Sequence, residues 1–207
     1  MQIWFVSPNL NPLPLKKQKA RVMSPGFNVP AIVDCIQLFK LKFPSGSIKT
    51  MLLSKIISGG QTGVDRAALD VALEMGIPAG GYCPKGRKAE DGPIDPRYPL
   101  QELNSPHYPA RTERNVLESD GTLIINEGPL EGGVALTLKM AKKYKKHFLI
   151  IHPSKSLAVS EVIKWLKSNP INVLNVAGPR ESNSPGIYDK AFSLLLRLFH
   201  DLSGNIP

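Results

Sequence analysis

The sequence predicts a doubly wound, Rossmann-like α/β/α domain over residues 51–207, built on a parallel sheet of about five strands and preceded by a distinct N-terminal segment. Three observations carry this expectation. Short apolar runs alternate with amphipathic helical stretches, two of those runs end in glycine-rich turns that lead into a helix, and basic charge and proline concentrate before residue 51.

The first run is Leu52 to Ile57, followed by Gly59-Gly60-Gln61-Thr62-Gly63. Val64, Ala67, Ala68, Val71, Ala72 and Met75 then recur on one helical face, which Gly76 and Pro78 end. A short strand near Ala79–Tyr82 leads into Cys83-Pro84-Lys85-Gly86-Arg87-Lys88, and 89–107 reads as a long Pro-rich loop, of the kind that usually carries function. A helix from about Tyr108 to Ser119 precedes the strand Gly121 to Asn126. Glu127-Gly128-Pro129-Leu130-Glu131-Gly132-Gly133 repeats the strand–glycine–helix unit, with Val134, Thr137, Leu138 and Ala141 on one face. His147 to His152 is a fourth strand, and Val159, Val162, Ile163 and Leu166 mark its helix. Ile171 to Ala177 is the fifth strand, closed by Gly178-Pro179-Arg180-Glu181-Ser182, and the last helix aligns Ile187, Ala191, Leu194, Leu195 and Leu198.

Composition narrows the function classes. The chain has 207 residues, 42% hydrophobic and 21% charged, which excludes wholesale disorder. No apolar run reaches the ~18 residues of a membrane span. Cys35 and Cys83 with four histidines exclude a disulfide framework and a Cys/His zinc cluster, and suit a reducing cytoplasm. The net charge of +9 resembles that of a polyanion binder. Residues 1–50, however, hold seven Lys/Arg against Asp34 alone (+6), whereas 51–207 hold 19 bases and 16 acids (+3), so the basic signal belongs mostly to the first segment and nucleic acid is not the expected partner of the domain. Six prolines in that segment oppose helix and sheet. A start codon set too far upstream of Met51, a flexible tail and a targeting peptide are its three readings.

In an open α/β sheet, ligands bind beyond the carboxyl ends of the strands. Gly59, Gly60, Gln61, Thr62 and Gly63, then Cys83 to Lys88 with Lys85, Gly86 and Arg87, then Glu127 to Gly133 with Gly128 and Gly132, and last Gly178 to Ser182 fall at those ends. Glycine-rich turns opening helices point to an anion site, the alternative being tight turns alone. Asp65 either serves the ligand or stabilises its helix N-terminus. Arg66 opposes that dipole, so a ligand or an inter-loop ion pair must justify it. Lys85, Arg87 and Lys88 are ligand donors or a solvated basic surface, and Tyr108, Arg111 and Thr112 lie near the site on the helix that starts from the ligand edge. Cys83 fits a small buried residue. The P-loop, G-x-G-x-x-G and G-x-S-x-G patterns are absent, which disfavours P-loop NTPase, NAD and α/β-hydrolase chemistry.

Ile57 to Asp70, Gly81 to Gly92, Arg111 to Val116, Ser119 to Ile124, Gly128 to Gly133 and Val176 to Ser182 together resemble the molybdenum cofactor carrier family, a circularly permuted YpsA-like branch of the Rossmann-like SLOG superfamily. The resemblance implies a homo-oligomer, dimer or tetramer, that binds molybdenum cofactor (molybdopterin) or a related phosphorylated pterin or nucleotide-like anion without turnover, with molybdoenzymes or cofactor-synthesis proteins as protein partners. Val134 stands where the family pattern implies threonine, and Thr137 one turn later is the candidate substitute. Two other functions remain open. One is a phosphoribohydrolase-like N-glycosidase drawing on Glu127, Glu131, Arg111 and Arg114, although its P-G-G-x-G-T-x-x-E string is missing; the other is a nucleotide-sensing module.

Overall fold

The computed structural model describes residues 53–203, so the expectations for residues 1–50 lie outside the described residues. Five strands, β1 (Lys55–Ile57), β2 (Ala79–Gly80), β7 (Gly121–Ile125), β8 (His147–Ile151) and β9 (Val173–Ala177), form one all-parallel sheet in the order β2-β1-β9-β7-β8. The helices α1 (Val64–Glu74), α4 (Ala158–Ser168) and α5 (Ile187–Leu202) cover one face, and α2 (Tyr108–Leu117) and α3 (Gly132–Lys143) the other. This is the predicted three-layer doubly wound fold.

The apolar periodicity maps onto the larger core. Val64, Ala67, Ala68, Val71 and Ala72 of α1, with Ile187, Ala191, Leu194, Leu195 and Leu198 of α5, pack on Ile56, Leu123, Ile125, Leu174 and Val176 of the sheet. Every residue of β7 is buried, as expected of a parallel strand covered on both faces. On the α2/α3 side the sheet presents Thr122 and Asn175, which pair internally at 3.2 Å.

The segment after β2 is more ordered than a loop. It contains β3 (Tyr82–Cys83) paired with β6 (Gln101–Glu102), and a small hairpin of β4 (Lys88–Ala89) and β5 (Gly92–Pro93). Cys83, Ile94, Tyr98 and Leu100 join Leu69 in a satellite core. Burial pushes the Cys83 thiol up, so it is an inert packing group, as the sequence indicated. Asp70 on α1 fastens this segment to the domain: it accepts from Tyr98 Oη at 2.8 Å and from Tyr188 Oη of α5 at 2.9 Å. Burial and the Asp70 carboxylate push the Tyr188 phenol up to about 12.

The strand order has a topological consequence. Joining the end of α5 to the start of β1 would make β9 the first strand and give the order 3-2-1-4-5 of an ordinary Rossmann-like sheet. The central strand of this fold is therefore contributed by the C-terminal part of the chain. The helices after β9 and β7, which are neighbours, leave toward opposite faces, and this switch opens a crevice above their carboxyl ends.

Candidate functional site

A cleft of about 440 Å³ occupies that crevice. The β7–α3 turn supplies Asn126, Gly128, Glu131, Gly132 and Gly133, and α3 adds Val134 and Thr137. The β9–α5 turn supplies Gly178, Arg180, Asn183 and Ser184, and Gln61, Asp65, Tyr108, Arg111 and Thr112 complete the wall.

Four helices, α1, α2, α3 and α5, begin around the cleft, and the chain itself satisfies α1 and α5. Asp65 stands in the first turn of α1, where it accepts from the Gln61 amide at 3.4 Å, and the Val64 amide donates to the Pro179 carbonyl at 3.3 Å. At α5, Glu181 accepts from the Gly186 amide at 2.5 Å and the Tyr188 amide at 3.1 Å. Helix α3 differs. It has no acid in its first turn, and among the described residues no acceptor meets its Gly132 and Gly133 amides. A Cβ added at Gly128, Gly132 or Gly133 would meet nothing within 4 Å, so this turn faces open space. Helix α3, whose N-cap residue is Glu131, thus opens on the cleft with glycine amides that no group among the described residues engages, the arrangement that suits an anion at a helix start.

The first glycine turn is packed against the chain. A Cβ at Gly59 would lie 1.4 Å from Arg111 Nη1, so the absent side chain makes room for that guanidinium. At Gly63, φ of +72° and a Cβ position 2.5 Å from the Pro179 carbonyl oxygen both require glycine. The corresponding point at Gly60 lies 2.4 Å from Leu100. Gly59, Gly60 and Gly63 therefore pack against the chain, and the glycines that face open space are those of the second turn.

Arg111 enters from α2 and meets Asp65 Oδ2 at 2.5 Å, with side-chain exposures of 14% and 5%. Burial pushes the Asp65 carboxyl above the ordinary value of 3.8, against the charge and hydrogen bond of Arg111. Arg111 Nε is buried with no partner among the described residues. Arg180, half exposed, lies 3.7 Å from Glu90. Thr62 Oγ1, Ser182 Oγ and the Ser182 amide all donate to Glu90, which ties the β4–β5 hairpin to the β9–α5 turn. Burial pushes the Glu90 carboxyl up, and these hydrogen bonds with the Arg180 charge outweigh it, so it sits below its ordinary value.

Of the residues the sequence singled out, Gln61, Asp65, Arg111, Thr112, Gly128, Glu131, Gly132, Gly133, Val134 and Thr137 converge on the cleft. The Thr137 hydroxyl donates to Gly133 O at 2.8 Å, so toward a ligand it has only lone pairs to offer. The others lie outside the lining. Arg66 makes the inter-loop pair, to Asp91 at 3.2 Å, and also holds Gly60 O. Arg87 spends its guanidinium on the carbonyls of Ile94, Asp95, Tyr98 and Leu100, so it holds the segment around the satellite core; Lys85 and Gly86 precede it outside the cleft. Thr62 is engaged with Glu90, and Glu127 with Lys190 at 2.7 Å and Ser154 at 3.0 Å. Sequence reasoning placed Tyr108 and Arg180 at the ligand edge without giving them a role, and it did not single out Asn126, Asn183 or Ser184. The position of Asn126, immediately after an apolar strand, was the available signal.

An open α/β sheet with a cleft at its strand-order switch, lined by free helix amides and arginines, defines a small-molecule-binding protein of the Rossmann-like class. The chain belongs to the circularly permutated YpsA SLOG family, whose model matches residues 56–199. A solved structure of a protein from Syntrophus aciditrophicus SB, bearing the name of a molybdenum carrier protein, is 50% identical, covers 72% of this chain and 96% of its own, and superposes with a TM-score of 0.69. No curated protein matches. The permuted strand order agrees with the family description.

Proposed function

We propose that this chain binds molybdenum cofactor, or a related phosphorylated pterin or nucleotide-like anion, in the cleft and holds it without turnover. The observation that carries the reading is the free N-terminus of α3: its Gly132 and Gly133 amides open onto a cleft that also holds Arg111 and Arg180. The name of the 50% identical structure supports the choice of ligand.

The residues present fit such a group. A volume of about 440 Å³ lies within the ~300–1,000 Å³ typical of small-molecule sites. A phosphate suits the glycine amides, and an oxyanionic head suits guanidinium donors. When bound, the cofactor would bring its metal already held by its own dithiolene sulfurs. The chain's part is to fix the phosphate on α3, to compensate the remaining charge through Arg111 and Arg180, and to shield the group in the crevice. In this reading the protein works in the cytoplasm as a homodimer or homotetramer and exchanges the cofactor with molybdoenzymes or cofactor-synthesis proteins.

The test is incubation of the purified protein with molybdenum cofactor and, separately, with nucleoside monophosphates, followed by assay of retained cofactor and released base. Retention without base release is expected. Catalytic base release that disappears in Glu131→Gln, the carboxylate lining the cleft, would assign the protein to N-glycosidases instead.

A further inference from the structure

The cleft lining has two chemically different kinds of surface. One kind is polar, the α3 amides and the arginines, and the other is flat and largely apolar, the rings of Tyr108, Pro109 and Pro129. Tyr108 is the exposed aromatic among the large apolar side chains of the described residues, at 39% exposure. It stands at the first position of α2, where packing against the core does not hold it, and it lines the cleft mouth. The Arg111 guanidinium lies 6.0 Å from its ring centroid, which joins the aromatic surface to the buried cation without a break. An aromatic ring kept partly in water beside an anion site is a surface for a second flat group.

We propose that Tyr108 is the stacking platform of this site, so that the ligand is an anion that carries a planar heteroaromatic ring as well as a phosphate. The assignment rests on the cleft being the anion site described above. It adds an orientation: phosphate at Gly132 and Gly133, ring at Tyr108. It also adds a selectivity, because a sugar phosphate without a ring would engage only the polar groups.

Affinities of the full chain and its Tyr108→Ala and Tyr108→Phe variants for three probes test it: ribose 5-phosphate, a purine nucleoside monophosphate and a phosphorylated pterin. For Tyr108→Ala, binding of the ring-bearing probes should weaken about tenfold or more, the usual effect of losing one stacked aromatic. Ribose 5-phosphate should bind within twofold of wild type, Tyr108→Phe should retain ring affinity, and the melting temperatures should coincide. The ring-bearing probe that loses more in Tyr108→Ala identifies the source of the ring, pterin or purine. Equal affinity of Tyr108→Ala and wild type for both ring-bearing probes, with ribose 5-phosphate still bound, would overturn the platform and leave the anion site standing. Failure of wild type to bind any of the three would overturn both.

Discussion

Replacing Arg111 with methionine keeps much of the aliphatic stem and removes the guanidinium, which leaves the Asp65 carboxylate, 5% exposed, without its 2.5 Å partner. Breaking a buried pair by deleting one member costs about 3–5 kcal/mol, because the survivor's charge is uncompensated. Asp65 keeps the Gln61 amide at 3.4 Å, which places the expected loss near the lower end, about 3 kcal/mol. For a domain of this size that corresponds to a melting-temperature drop of roughly 6–12 °C. The loss has a pH signature. The folded-state value of Asp65 is already above 3.8 through burial, and removing Arg111 raises it further. A carboxyl raised on folding favours the folded state below its unfolded value and loses that contribution as pH rises through the folded value. The variant should therefore be most destabilised at neutral pH and recover toward wild type as pH falls toward 3.8. Urea unfolding at pH 7 and pH 5 measures this, with Asp65→Asn/Arg111→Met as the double variant, expected to be more stable at pH 7 than Arg111→Met alone. A loss below about 1 kcal/mol at pH 7, or one that does not shrink on acidification, would refute the treatment of this pair as buried and coupled.

Gly59→Ala should destabilise about as much as Arg111→Met and far less than additively with it, since its Cβ would displace the same guanidinium; a double-mutant cycle in urea reads this. Arg87→Ala should lower stability by about 2 kcal/mol or more and speed proteolysis between residues 84 and 102, because four carbonyls lose a charged donor; phosphate affinity, by calorimetry, should stay near wild type. Gly133→Val should leave the melting temperature nearly unchanged and weaken anion binding at least about tenfold, a side chain there entering open space at the start of α3. Met51–Pro207 expressed alone should unfold within about 2 kcal/mol of the full chain, a small part of the ~5–15 kcal/mol of a domain.

Period and punctuation alone determined the layered α/β architecture of this protein. Apolar residues at helical spacing in 64–75 and 187–198 had one face to bury, and fully apolar runs such as Leu123-Ile124-Ile125 had two, so helices on a covered parallel sheet were the consistent solution. The strand ends, and with them the neighbourhood of the site, followed from the glycine turns. Tertiary structure alone decided which turn faces open space. Two glycine-rich strings that look alike in sequence differ because Arg111, 46 positions from Asp65 along the chain, fills the space above Gly59, while nothing fills the space beyond Gly133. The same holds for the cations. Arg87 and Arg111 are equally plausible anion donors as letters, and only the folded chain shows that carbonyls surround the first, while the second, paired on one side with Asp65, turns a buried Nε to no partner among the described residues. Local periodicity is a property of neighbours in sequence. Whether a charge is already satisfied depends on groups brought together from distant positions, which no window along the chain contains.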